Sequence, residues 1–127
     1  MRRGLTLIEL VIVLVLIGIL SALAVNRISV ARQAAYAAAM QSDLRNLATA
    51  HEAYFTDNAE EYARRVQDVG YRFRTSPGVT IRIASVSSRS YTATARHVSS
   101  GLTCTVSVDG DQRSAPSCTS SSGEGGK

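Results

Sequence analysis

The feature that most constrains this chain is an apolar run near its start, from Leu5 to Val25, which reads LTLIELVIVLVLIGILSALAV. As a helix that rises about 1.5 Å per residue, the run would be roughly 31 Å long, which is enough to cross the hydrocarbon core of a bilayer. Only a short leader precedes it, and this leader contains Arg2 and Arg3. The run holds one ionisable residue, Glu9, and an acid inside an apolar helix usually marks a site with a partner.

Two common kinds of apolar segment are alternatives for this run. A secretory signal has an apolar region of about 7–15 residues followed by a small-residue cleavage site. The run here is longer, and the helical pattern continues beyond Ser21-Ala22-Leu23-Ala24. A plain membrane anchor fits the length but has no need of Glu9, so it remains the main alternative.

The N-terminal residues resemble the processing site shared by type IV prepilins and the pseudopilins of type II secretion. The resemblance is carried by Arg2-Arg3-Gly4, then Leu5-Thr6-Leu7-Ile8-Glu9-Leu10, then the unbroken apolar run. It implies that a membrane prepilin peptidase cuts after Gly4 and that the new amino terminus, Leu5, is methylated. It also implies that the apolar helix first anchors the precursor in the inner membrane and later packs in the core of a filament.

The resemblance gives Glu9 a specific role, which is to pair with the methylated terminal amine of an adjoining subunit. A carboxylate in an apolar bundle needs a cation, and the amine of Leu5 is freed by cleavage. The alternative is a protonated Glu9 near the membrane interface without a partner. Two features depart from the family pattern: Leu5 stands where Phe is usual, and Ala24-Val25-Asn26 lacks the proline that often follows the run.

Residues 26–58 continue the helical pattern but become amphipathic. They contain no Gly or Pro and are rich in Ala, the best helix former. Residues at spacings of three and four form one stripe that faces a core: Met40, Leu44, Leu47, His51, Tyr54 and Phe55. Polar residues, Asp43 among them, fall mostly off this stripe. The pattern predicts one helix from residue 5 to about residue 57, roughly 80 Å long.

A globular head is expected over residues 59–118. Its connector, residues 59–77, has a weak helical pattern that ends at Gly70, and the turn signal Ser76-Pro77-Gly78 follows. The apolar period then changes to two in three segments, residues 79–84, 91–96 and 103–108.

The predicted fold is therefore α+β: a long N-terminal helix packed against a small three-stranded antiparallel sheet. One face of the sheet is apolar and should lie on the helix stripe, whereas the other carries Thr and Arg and faces water. Residues 119–127, TSSSGEGGK, are expected to form a flexible tail.

The cysteines, Cys104 and Cys118, are close in sequence and even in number. In a chain exported across a membrane this favours a disulfide, and type IV pilins carry a comparable C-terminal pair. Free thiols are the alternative. A metal site is not expected, because two cysteines with the distant His51 and His97 do not form a ligand spacing. Both histidines are expected to be structural, partly buried or exposed, and no cofactor site is expected.

The formal charge is +4, and arginines concentrate in the head around Arg72, Arg74, Arg82 and Arg96. Aromatic residues lie between them, so this surface is a candidate for binding nucleic acid, as in DNA-uptake filaments. The alternative is that these arginines pair with acids of neighbouring subunits.

The sequence contains no arrangement of residues typical of an enzyme, so a structural role is expected. The resemblance implies a subunit of a type IV pilus-like filament, with a type II secretion pseudopilin, or a minor or competence pilin that binds DNA, as alternatives. Its expected partners are copies of itself, the prepilin peptidase and the inner-membrane assembly machinery. The precursor would span the inner membrane once, and the mature filament would be extracellular or cross the periplasm.

Overall fold

The computed structural model describes residues 4–120, apart from the side chains of residues 71 and 72. The expected leader arginines, Arg2 and Arg3, and residues 121–127 of the expected tail lie outside this range. Helix α1 runs over Leu7–Asp57, and the chain divides into two compact units, residues 1–34 and 35–127. The predicted continuous helix is confirmed.

The first unit contains the apolar part of α1. Its large apolar side chains between Leu5 and Val30 are 45–82% exposed. Among the described residues, α1 is the one helix that is long and apolar enough to cross a membrane. A surface of this kind is unstable in water, so this part of the helix requires an apolar surrounding.

In the second unit, the remainder of α1 packs one face on the sheet. The side chains of Met40, Leu44 and Leu47 are fully buried, as the stripe predicts, and His51 is fully buried beside them. Asp43 was expected off the stripe, and this expectation was wrong, because it is only 3% exposed. Its carboxylate accepts hydrogen bonds from the backbone N–H of Ser76 at 2.7 Å and from the Ser76 hydroxyl at 2.8 Å.

The connector begins with a turn at residues 58–60 and contains a 3₁₀ helix over Val66–Arg72. The predicted helical pattern starts only at Val66, because Ala59 and Glu60 have left-handed φ values of 54° and 61°, which a right-handed helix cannot include. Gly70 breaks the helical geometry with φ 72°, although the 3₁₀ segment resumes for two residues beyond it.

The described part of the head forms five strands where the sequence predicted three. They are β1 (Val79–Val86), β2 (Ser90–His97), β3 (Leu102–Asp109), β4 (Gln112–Arg113) and β5 (Ser117–Ser120). All pair antiparallel in the order β1-β2-β3, with β4 and β5 both on the outer side of β3. The two short strands are polar, so they show no apolar alternation, and β5 takes in Thr119 and Ser120 from the expected tail.

The sheet covers the helix stripe with its apolar face. The buried strand residues alternate along β2 and β3 and lie on this face: Tyr91, Ala93, Ala95, Cys104, Val106 and Val108. The turn before β1 is closed by a hydrogen bond from the N–H of Val79 to the carbonyl of Ser76. Gly78 is required in this turn, because its φ is 79° and a Cβ atom there would lie 2.7 Å from Nε2 of His97.

Candidate functional site

The start of α1 brings together the residues that the sequence assigns to processing and assembly: Gly4 and Leu5 lie just before the helix, and Glu9 lies in its first turn. Thr6 immediately precedes the helix, and its Oγ1 accepts a hydrogen bond from the backbone N–H of Glu9 at 3.3 Å. Thr6 is therefore an N-cap, which satisfies one of the amide groups left unpaired at a helix start. Sequence reasoning missed this role, although Thr6-Leu7-Ile8-Glu9 has the spacing of a capping box.

The position of Glu9 suits a negative charge. It lies in the first turn of α1, where the positive end of the helix dipole favours an acid. Its contribution to the cap is made through its backbone N–H, so this bond does not use the carboxylate. Gly4 and Leu5 are exposed just before the helix, and a Cβ atom at Gly4 would meet nothing within 4 Å. The site thus combines an accessible peptide bond between Gly4 and Leu5 with one acid, Glu9, beside an exposed apolar surface.

The cysteine pair closes the end of the sheet. Cys104 and Cys118 form a disulfide between directly paired positions of β3 and β5. Cys104 is fully buried, and the side-chain amide of Gln41 on α1 donates a hydrogen bond to Sγ of Cys118 at 3.4 Å. The disulfide therefore holds the last described strand against both the sheet and the helix.

The candidate nucleic-acid residues do not form one cluster. Arg82 on β1 and Arg96 on β2 lie on the outward sheet face, at diagonal positions, because Arg82 pairs with Thr94 and Arg96 pairs with Thr80. Nε of Arg96 also donates to Oγ1 of Thr103 at 3.2 Å. Arg74 lines a separate cleft of about 570 Å³ beside the 3₁₀ helix. The side chain of Arg72 lies outside the described part of the chain.

A second basic cleft escaped sequence reasoning. It has a volume of about 270 Å³ and lies between the connector and β1. Arg64 and Arg65 approach from the connector, and Arg82 approaches from the strand. The sequence signal was present as adjacent arginines, but only the fold brings the strand arginine to them.

The two histidines occupy structural positions. His51 was expected to be partly buried or exposed, and it is instead fully buried, where its Nε2 lies 3.0 Å from the carbonyl oxygen of Ala63. Its ring lies against Tyr62 and Tyr91, at centroid distances of 5.2 Å and 4.2 Å. Burial lowers the pKa of His51 from its usual 6.5, and burial also raises the pKa of Tyr91 to about 12. Both groups are therefore neutral at ordinary pH.

His97 is half-buried and stacks on Tyr36 with the ring centroids 4.0 Å apart. Its Nδ1 accepts a hydrogen bond from the backbone N–H of Ser99, and its ring covers Gly78. These contacts join α1 to the turn before β1 and to the turn after β2, which lie at the same end of the sheet. Among residues 4–120, no group of three or more His, Cys, Asp or Glu side chains is arranged to hold a metal ion.

Comparison with known proteins bears on the N-terminal segment. Residues 1–25 match the prokaryotic N-terminal methylation motif, and no curated protein is significantly similar to the chain. The motif marks a class of structural subunits rather than enzymes, and the apolar helix that follows fits a membrane-anchored precursor. This match agrees with the resemblance of residues 2–10 and the apolar run to the processing site of type IV prepilins and pseudopilins.

Proposed function

We propose that the chain is the structural subunit of a type IV pilus-like filament, cut after Gly4, methylated at Leu5 and polymerised through the apolar part of α1. The observation that carries this proposal is the exposed apolar surface of α1, with Glu9 as its one acid, directly after the processing motif. Such a surface is covered by lipid in a membrane and by neighbouring copies of the same helix in a filament.

The proposal accounts for the pairing of Glu9. In a packed bundle of helices, the carboxylate requires a cation, and each cleaved subunit supplies one at the amine of Leu5. The helix dipole would favour Glu9 near its own helix start, whereas the amine of a neighbour would neutralise it fully. A plain membrane anchor would gain nothing from this arrangement.

The disulfide supports a pilus over a type II secretion pseudopilus. It closes a surface segment at the C-terminal side of the head, as the cysteine pair of type IV pilins does. A pseudopilin remains the alternative assignment, and it shares the processing, the membrane anchor and the assembly through α1.

Processing is the first experimental test. The chain should be expressed with a prepilin peptidase, and the subunit should be analysed by intact mass and N-terminal fragmentation. The expected product begins with N-methylated Leu5. Gly4→Asp should leave an uncut precursor in the inner membrane, because the backbone can no longer be held closely at the cut. A mature filament subunit that still begins at Met1 would contradict the proposal.

A second candidate function is contact with DNA. It is favoured by the outward sheet face, where Arg82 and Arg96 stand among hydroxyl side chains and β1 and β2 carry no acid. If this face binds DNA, affinity should fall steeply with salt, since phosphate contacts release counterions.

The variant for this test replaces Arg72, Arg74, Arg82 and Arg96 by Gln. If these arginines bind DNA, the variant should lose DNA binding in a gel-shift titration while filaments persist. If they hold subunits together instead, the same change should weaken the filaments. Retention of wild-type affinity in the variant would argue against a role of these arginines in DNA contact.

A further inference from the structure

The basic cleft between the connector and β1 carries more positive charge than the carboxylates of residues 4–120 neutralise. Nε of Arg65 lies 3.6 Å from Oδ2 of Asp68, so that arginine has a carboxylate partner. For Arg64 and Arg82, the described part of the chain provides no ion pair. The side chains of Ile81 and Ile83 form the apolar walls of the cleft, and Gln67 adds an amide group. A cleft of this composition fits a carboxylate carried on a short segment.

The cleft also lies at the free edge of the sheet. Strand β1 pairs with β2 on one side, and its register shifts between Ile83 and Ser85. A bulge and a charged side chain at a sheet edge oppose the addition of another strand. A turn that presents acidic side chains therefore fits this cleft better than an extended strand does.

The same subunit presents such a turn. After α1 ends, Ala59 and Glu60 both adopt left-handed backbone conformations, which strain residues other than glycine. The turn is held by hydrogen bonds from the N–H of Glu60 to Phe55 O at 3.0 Å and from the N–H of Glu61 to Asn58 O at 3.2 Å. Both glutamates are exposed, and neither forms an ion pair with another described residue. A glycine at position 60 would relieve the backbone strain. The presence of glutamate there instead points to a role for its side chain.

We infer that the cleft of Arg64, Arg65 and Arg82 receives the Glu60-Glu61 turn of a neighbouring copy of this chain. The two charged features are complementary, and no ion pair joins them within the described part of one subunit. A contact between different surfaces of identical subunits repeats from one copy to the next, which is the arrangement that builds an open helical polymer. This inference rests on the proposed filament function and adds a head-to-head contact to the packing of the apolar helices.

The test is charge reversal in the full chain, expressed with the peptidase and an assembly system. Arg64→Glu with Arg82→Glu, and separately Glu60→Arg with Glu61→Arg, should each reduce filament number by about tenfold or more, because like charges then face each other. The variant with all four changes should recover filaments, because the pairs are restored with opposite sign. Cells that express both double variants together should also recover them, because each supplies the half that the other lacks.

Matched controls separate this contact from other effects of charge. Arg45→Glu with Arg89→Glu changes the net charge equally on exposed positions outside the cleft and should leave filament number unchanged. Formation of the Cys104–Cys118 disulfide reports that each variant head is folded.

Three outcomes would overturn the inference: normal filaments in both double variants, no recovery in the four-residue variant, or loss in the control equal to loss in the cleft variant. Loss of filaments on changing the cleft alone, without an effect of Glu60 and Glu61, would mean that the cleft contacts a different acidic group during assembly and would also overturn it. Absence of filaments from the unmodified, correctly processed chain would instead contradict the proposed function.

Discussion

At the scale of single residues, buried polar side chains join the helix to the head. His51 and Asp43 occupy the inner face of α1, where apolar residues would be expected. His51 contacts the connector through Ala63, and Asp43 contacts the turn before β1 through Ser76. A buried polar group is costly unless it is hydrogen-bonded, so these contacts fix where the chain crosses the helix.

His51 should make the stability of the head depend on pH. Its pKa is lowered in the folded state by burial, so the unfolded chain binds a proton more readily. Its contribution to the free energy of unfolding is therefore present above about pH 6.5 and is lost as the pH falls, by up to about 1.4 kcal/mol per pH unit.

The measurement is urea unfolding of the full chain in detergent between about pH 5 and pH 7.5, above the usual carboxylate pKa range and followed by tyrosine circular dichroism. His51→Gln should flatten the dependence, because Gln can donate to the Ala63 carbonyl without titrating. His97→Gln is the matched control, since it removes the half-buried histidine and leaves His51 in place. Equal slopes in wild type and His51→Gln would exclude this role.

Asp43 should stabilise the head through the hydrogen bonds that its carboxylate accepts rather than through its negative charge. Asp43→Ala leaves the Ser76 N–H and hydroxyl without their acceptor, which should cost about 1–3 kcal/mol in the free energy of unfolding. Asp43→Asn retains one acceptor oxygen and should lose less. Ser76→Ala, which keeps the backbone bond, provides the comparison. A change below the error of the unfolding measurement in Asp43→Ala would contradict this assignment.

At the scale of elements, the sequence predicts the helix and the strands in which a repeating apolar pattern extends over enough residues to be recognised. The spacing of three and four identifies the stripe from Met40 to Phe55, and the alternation identifies β1, β2 and β3. Strands β4 and β5 could not be read this way, because they are two and four residues long and mostly polar. Asp43 was missed because its partner lies 33 residues away, a contact that periodicity along α1 does not encode.

The disulfide should matter most for β5. A closed loop of this size stabilises a fold by about 3 kcal/mol in the chain-entropy model. Among the described strands, β5 pairs with β3 alone. Cys104→Ser with Cys118→Ser should therefore lower the free energy of unfolding by roughly that amount. Hydrogen exchange should report faster opening of Ser117–Ser120 than of β2.

Mass spectrometry of the oxidised wild-type protein checks that the disulfide is present. Its intact mass should be about two units below the reduced value, with both cysteines in one linked peptide. Free thiols that react with an alkylating agent in the native, unreduced protein would contradict the pairing.

At the scale of the whole molecule, the N-terminal motif carries most of what sequence reveals about function. The sequence assigns Gly4, Leu5 and Glu9 to processing and assembly from a local pattern alone, and this assignment stays a prediction. The basic cleft could not be predicted, because it depends on the fold bringing Arg82 on β1 to the connector. Sites assembled from distant segments need the tertiary structure, whereas sites within one helical turn do not.

Glu9→Val separates a filament subunit from a simple membrane anchor. The change keeps the helix cap, because the N-cap bond uses the backbone N–H of Glu9. Membrane insertion and cleavage should continue, but the amine of Leu5 would be buried without a carboxylate, which typically costs about 3–5 kcal/mol per subunit. Electron microscopy should then show few or no filaments, although mass spectrometry detects processed subunit.

Thr6→Ala is the matched control for this prediction. It removes the cap and should cost about 1 kcal/mol of helix stability, but it leaves the carboxylate in place. Filaments should therefore persist in Thr6→Ala. Normal filament length and number in Glu9→Val would remove the role assigned to that carboxylate.

The order of the strands has a practical consequence for labelling. Ser120, the last described residue, lies on β5, which pairs with β3, whereas the free edge of β1 lies on the other side of the sheet. An epitope or fluorophore attached after Ser120 would therefore leave the sheet at the edge remote from the basic cleft. If the filament forms as proposed, the C-terminal side of this chain is the place to display cargo while the opposite edge keeps its contacts.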